Sequence, residues 1–182
     1  MRLLLLLLIT LPALANDAAK LKKGDVLVTT KKLDDGSILA IVHAIIKSPP
    51  AKVWQLIEDC SKYDTTMSNT KNAKELSRKG GDIVCQVEIV TPFPLANLHA
   101  TTAVRHSIKE GVYRRSWRLL KGDFIKNEGA WILSPVADGK ETHVEYRVNA
   151  RTKIPLPGFI QESAQKRTLP ELIGHLRKQL AK

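Results

Sequence analysis

Ile83-Val84-Cys85-Gln86-Val87-Glu88-Ile89-Val90 sets Ile83, Cys85, Val87 and Ile89 on one parity and Gln86 and Glu88 on the other. Successive side chains of a strand point to opposite faces, so this stretch predicts a β-strand dry on one face and wet on the other. The next stretch repeats the pattern: Leu98, Ala100, Thr102, Val104 and Ile108 share one side, and His99, Thr101, Arg105 and Ser107 the other. Further strands place Tyr113, Trp117 and Leu119 on one face, then Trp131 and Leu133, then Val144, Tyr146, Val148 and Ala150. Gly111, Gly122 and Asp138-Gly139 mark the turns between them. Residues 83–150 therefore read as a run of alternating β-strands.

Upstream, residues 25–30 and 37–47 form two extended segments joined by the turn signal Asp34-Asp35-Gly36, which predicts a hairpin. Ser48-Pro49-Pro50 then offers an N-cap serine and prolines suited to a first helical turn. Val53, Leu56, Ile57 and Cys60 follow at helical spacing, predicting a short amphipathic helix that ends near Ser61 to Asp64. Downstream of Gly158, Leu169, Leu172, Ile173, Leu176 and Leu180 fall on one helical stripe that must cover the sheet. Pro170 either kinks this helix or begins a second one, because it lacks a backbone donor. The outline is an α+β container.

The first fifteen residues stand apart from the fold. Met1-Arg2, the leucines from Leu3 to Leu8 and the small residues Ala13 and Ala15 have signal-peptide layout, with cleavage expected before Asn16. The apolar run of ~13 residues falls short of the roughly 20 that a membrane helix needs. The expected product is Asn16 to Lys182, exported and periplasmic or secreted, a single domain. With Arg2 removed the formal charge falls from +11 to +10. Such a balance suits anionic lipid, cell-wall polymer or nucleic acid. The lysines and arginines are spread along the chain without a nucleic-acid motif, so nucleic acid is excluded, and a solvated basic surface or attraction to an anionic membrane surface remains. Cys60 and Cys85 lie too far apart in sequence for a CxxC motif, and both a bridge and two buried thiols stay open.

Several stretches in order then resemble one superfamily: Ser48 to Trp54, Asp59 to Tyr63, Pro92-Phe93-Pro94-Leu95, Gly129 to Leu133, Gly139 to Tyr146 and Ile154-Pro155. The chain from Leu21 to Lys182 resembles the START-like, or SRPBCC, proteins, near the bacterial START-like, polyketide cyclase/dehydrase and coenzyme Q-binding branches. The resemblance implies the helix-grip fold, a curved antiparallel sheet wrapped around a long C-terminal helix, with a cavity for lipids, sterols, quinones or polyketides between them. It departs at Leu98-His99, where relatives often carry an Arg-Asp pair, so that pair's role is not carried over.

Polar residues sharing parity with the apolar wall are the candidates for ligand chemistry. Arg115, flanked by Tyr113 and Trp117, can fork onto a carboxylate or phosphate, and His106 lies between Val104 and Ile108. Trp117 and Trp131 offer flat faces, and Trp54 shares that potential; Tyr146, Leu172 and Ile173 complete the candidate wall. Phe93 and Leu95, with Phe159 and Ile160, are placed to gate a cavity mouth. Each also has a plainer reading as core or loop packing. The five histidines at 43, 99, 106, 143 and 175 show no metal-ligand spacing, and GxSxG, HExxH and phosphate-loop motifs are missing. No catalytic residue, metal or cofactor is assigned. The expected function is an exported, monomeric carrier of a hydrophobic ligand, with a cyclase-like or hydrolytic enzyme using the same cavity as the alternative.

Overall fold

A computed structural model of the 182-residue chain describes residues 12–91, 96–154 and 158–181. A helix, α1 (Pro12–Lys23), precedes the hairpin β1 (Leu27–Lys32) and β2 (Ile38–Ile46). Two short helices, α2 (Pro50–Gln55) and α3 (Tyr63–Thr66), flank a single 3-10 turn at Cys60–Lys62. Then come β3 (Thr70–Lys79), β4 (Asp82–Ile89), β5 (Leu98–Lys109), β6 (Val112–Gly122), β7 (Phe124–Val136), β8 (Glu141–Thr152) and the long α4 (Gly158–Leu180). The bulk of the expected leader lies outside the described residues, while α1 runs through the expected cleavage junction between Ala15 and Asn16. Among the described residues no helix is long and apolar enough to cross a membrane.

The eight strands form one antiparallel sheet in the order β1-β2-β8-β7-β6-β5-β4-β3. The hairpin thus joins the sheet through β8, the last strand, and α4 returns across the inner face. This is the helix-grip arrangement. Strand β2 shows why the sheet holds its register: Ile38, Ala40, Val42, Ala44 and Ile46 are all buried while the alternate residues are not. A slip of one residue would turn that whole set to the outer face.

Three local readings differ from the observed elements. Ser48 is not the cap of α2; Pro49 holds that place with no side-chain bond, and Pro50 takes the first helical position, where a missing N–H costs nothing. The helix stops at Gln55, because Asp59 accepts a bond from Ser61 N at 3.0 Å and starts the 3-10 turn that carries Cys60 to the sheet. Pro170 breaks nothing: α4 is one helix of 23 residues, with Leu169, Ile173 and Leu176 buried in its second half.

Strand β3 escaped the sequence reading altogether. It is an edge strand made of Thr70-Lys71-Asn72-Ala73-Lys74-Glu75-Leu76-Ser77-Arg78-Lys79, mostly exposed, and bulged between Lys71 and Lys74 and between Glu75 and Ser77. Bulges destroy the period of two, and charge on an edge discourages pairing with another chain. Asp64 satisfies the first bulge by accepting from Asn72 N at 2.9 Å and Ala73 N at 2.8 Å.

Cys60 and Cys85 form a disulfide, with Cα atoms 6.3 Å apart. It ties the 3-10 turn to β4 across a sequence separation of 25. Closing a loop of that size removes unfolded-state freedom worth roughly 3 kcal/mol.

Candidate functional site

The inner face divides into a filled part and an empty part. At the filled end, Val53, Leu133, Val144, Ile173 and Leu176 are buried together in one core. At the other end lies a cavity of about 900 Å³ between the sheet, α3 and the first half of α4. That is within the roughly 300–1,000 Å³ typical of small-molecule pockets.

Arg115, Trp117, Trp131, Tyr146, Phe159, Ile160 and Leu172, all singled out from sequence, line this cavity. Three other candidates do not. His106 and Tyr113 face inward, yet Trp54 of α2 stands on them, 4.7 Å from His106 and 5.6 Å from Tyr113 between ring centroids. Helix α2 therefore plugs that end. Ile173, 1% exposed, is spent on the filled core. Phe93 and Leu95 lie outside the described residues.

Arg115 is 3% exposed, reached through β6 with Trp131 directly opposite on β7. Its Nε donates to Ile57 O at 3.0 Å, one Nη approaches Cys85 Sγ at 3.4 Å, and the guanidinium lies 5.3 Å from the ring centre of Tyr63. Tyr63 Oη donates to the same Ile57 carbonyl at 2.6 Å. Among the described residues Arg115 forms no ion pair with a carboxylate. A buried cation without a counter-charge is costly, by several kcal/mol, unless something else compensates it.

Aromatic rings shape the middle of the cavity. Trp117 stacks 5.7 Å from Tyr146, which in turn tilts against Trp131 at 4.2 Å. Gly129 makes room for this: a Cβ there would fall 2.4 Å from Trp117 Cζ2 and 2.1 Å from Arg147 O. Trp117 Nε1 donates to Asn127 Oδ1 at 2.9 Å, which fixes the indole plane. Burial pushes the phenols of Tyr63 and Tyr146 above the ordinary range, Arg115 partly opposing it in both, so each remains a neutral donor.

Asn127, Gln165, Tyr63 and Phe124 also line the cavity and were not picked out in the sequence. Two carried a readable signal. Asn127 shares parity with Trp131, and Gln165 stands one helical turn before Leu169 on the same stripe. Phe124 turns inward only because β7 is irregular against β8 between Phe124 and Lys126, and Tyr63 because the chain breaks out of helix before it. Among the described residues no cluster of three His, Cys, Asp or Glu is placed to hold a metal.

The family described as "Polyketide cyclase / dehydrase and lipid transport" matches residues 46–177. The chain belongs to that family. Solved structures agree in fold. The STAR-related lipid transfer protein from Xanthomonas axonopodis superposes with a TM-score of 0.73 at 16% identity, covering 86% of this chain and 94% of that one. Human StAR-related lipid transfer protein 5 gives 0.74 at 13% identity, covering 94% and 96%. The Zhui aromatase/cyclase from a Streptomyces species gives 0.61 at 14% identity, covering 85% and 93%. At these identities the likeness concerns the START-like fold. No curated protein sequence matches the chain.

Proposed function

We propose that this protein is an exported, monomeric carrier that shields an acidic amphiphile. The observation that carries this reading is Arg115: a buried guanidinium on the wall of an apolar cavity of about 900 Å³, with no carboxylate paired to it among the described residues. A ligand carboxylate or phosphate would supply the missing charge, and the apolar walls would take the tail at roughly 25 cal/mol per Å² buried. The described lining residues include no Asp, Glu, His or Lys, which leaves the phenols of Tyr63 and Tyr146 as the proton-bearing groups on the wall and favours carriage over acid–base turnover. Delivery at an anionic membrane is supported by the mouth. Phe159, 71% exposed, and Ile160 both line the cavity and face solvent, Ile154 is exposed four residues before α4, and Lys153 beside it in sequence is exposed too.

The test is calorimetric. Arg115→Leu should weaken binding of stearic acid about 10- to 100-fold while sparing stearyl alcohol, because hydrogen bonds to a charged group carry that much. Equal losses for acid and alcohol would sink the head-group role and return Arg115 to a purely structural task, pinning the Ile57 carbonyl to the sheet.

A further inference from the structure

The cavity wall carries three polar groups with no hydrogen-bond partner among the described residues, and Arg115 is not one of them. Asn127 is 8% exposed, and its carboxamide can be oriented without ambiguity. The indole N–H of Trp117 only donates, so the atom it meets at 2.9 Å is Oδ1. The Nδ2 donors of Asn127 are thereby turned away from the tryptophan, and no described residue accepts from them. On the opposite wall Gln165 Oε1, from α4, is buried without a hydrogen-bond partner among the described residues. Tyr146 Oη, on β8, makes no hydrogen bond among the described residues either. Burial keeps that phenol protonated, so it offers both a donor and an acceptor. All three residues line the same cavity.

A plain acyl chain filling this space would strip water from Asn127 Nδ2 and Tyr146 Oη and replace it with methylenes, and would leave Gln165 Oε1, already shut off from water, without a partner. Each polar group newly buried without a match costs on the order of 1–3 kcal/mol, so such a ligand would be penalised twice over. The groups are spread in depth as well. Tyr146 and Arg115 are both direct partners of Trp131 and so share one level of the sheet. Asn127 lies four residues along β7 from Trp131, roughly 13 Å away at the rise of an extended strand.

We infer that the cargo is an oxygenated amphiphile, one that carries hydroxyl groups along its body in addition to its acidic end. A hydroxyl donates once and accepts twice, which matches an amide N–H₂, an amide oxygen and a phenol alike. This inference rests on the carrier reading and narrows it to a ligand class.

The experiment compares stearic acid with its mid-chain hydroxy derivative, both below their micellar concentrations, by tryptophan fluorescence and calorimetry on the intact protein. The hydroxy acid should bind at least about fivefold tighter, the worth of one well-made hydrogen bond. Gln165→Leu, and separately Asn127→Leu, should pull that ratio towards one, with circular dichroism showing that each variant folds. Equal binding of the two acids by the unmodified protein overturns the inference and leaves the carrier reading standing, as does a ratio that survives both substitutions. Failure of both acids to bind overturns the carrier reading and the inference together.

Discussion

The two ends of the space under α4 begin from the same ingredients and finish in opposite states. At one end Ile173 and Leu176 press into Val144, Leu133 and Val53 in one closed core. At the other, Phe159, Ile160 and Leu172 stand over a cavity walled by Trp117, Tyr146 and Val148. Both stretches belong to one continuous helix over one continuous sheet. What separates them is α2. Trp54 rests on His106 and Tyr113, fills the space beneath it, and leaves the far half of the sheet without a cover of equal depth. Stability and binding are thus assigned to different halves of the same interface.

That division can be broken by substitution. Leu176→Ala removes a fully buried side chain from the filled end and should cost about 3–4 kcal/mol in a denaturant titration, with the affinity for stearic acid unchanged. A parallel loss of affinity would show that the two ends are mechanically one.

A smaller effect concerns His106, which Trp54 covers at the same filled end. Burial, with the nearby charges of Arg115 and Arg78 and against the pull of Glu75, lowers its pKa from 6.5 to about 4. The unfolded chain takes up a proton near 6.5 and the folded chain only near 4, so stability is level above pH 6.5 and falls as pH drops from 6.5 to 4. Because the ring is only half-buried, the loss should be on the order of 1–2 kcal/mol rather than the full value of the shift. Thermal melts across that window should show the slope, and His106→Gln should reduce it, leaving the part that His143, lowered by burial as well, contributes. An unchanged slope in the variant would place the proton uptake elsewhere.

The smallest stability effect belongs to the open end. Phe159→Ser should shift unfolding by less than about 0.5 kcal/mol, since the ring is already 71% exposed. The same change should weaken stearic acid binding several-fold, because the ring lines the mouth. A large loss of stability would mean that the open end is also core.

Much of this molecule was legible in its sequence, for a reason that also sets the limit. The alternation from Ile83 to Ala150 and the stripe from Leu169 to Leu180 report which face a side chain is on, a property of local backbone geometry alone. That sufficed for seven of the eight strands, the long helix and the inward direction of Arg115, Trp117, Trp131 and Tyr146. It failed for β3, where bulges and an exposed edge erase the period, and it overextended α2, where Asp59 restarts the chain as a 3-10 turn. Facing inward is not the same as facing a cavity: His106 and Ile173 share the wall's parity and meet core instead. Whether Cys60 reaches Cys85, whether Arg115 meets a carboxylate, and whether Gln165 finds a partner are decided by distances between elements far apart in the chain. The sequence alone determined the faces. Only the tertiary structure decided how far apart they stand, because that spacing is a sum over long-range packing that no local pattern records.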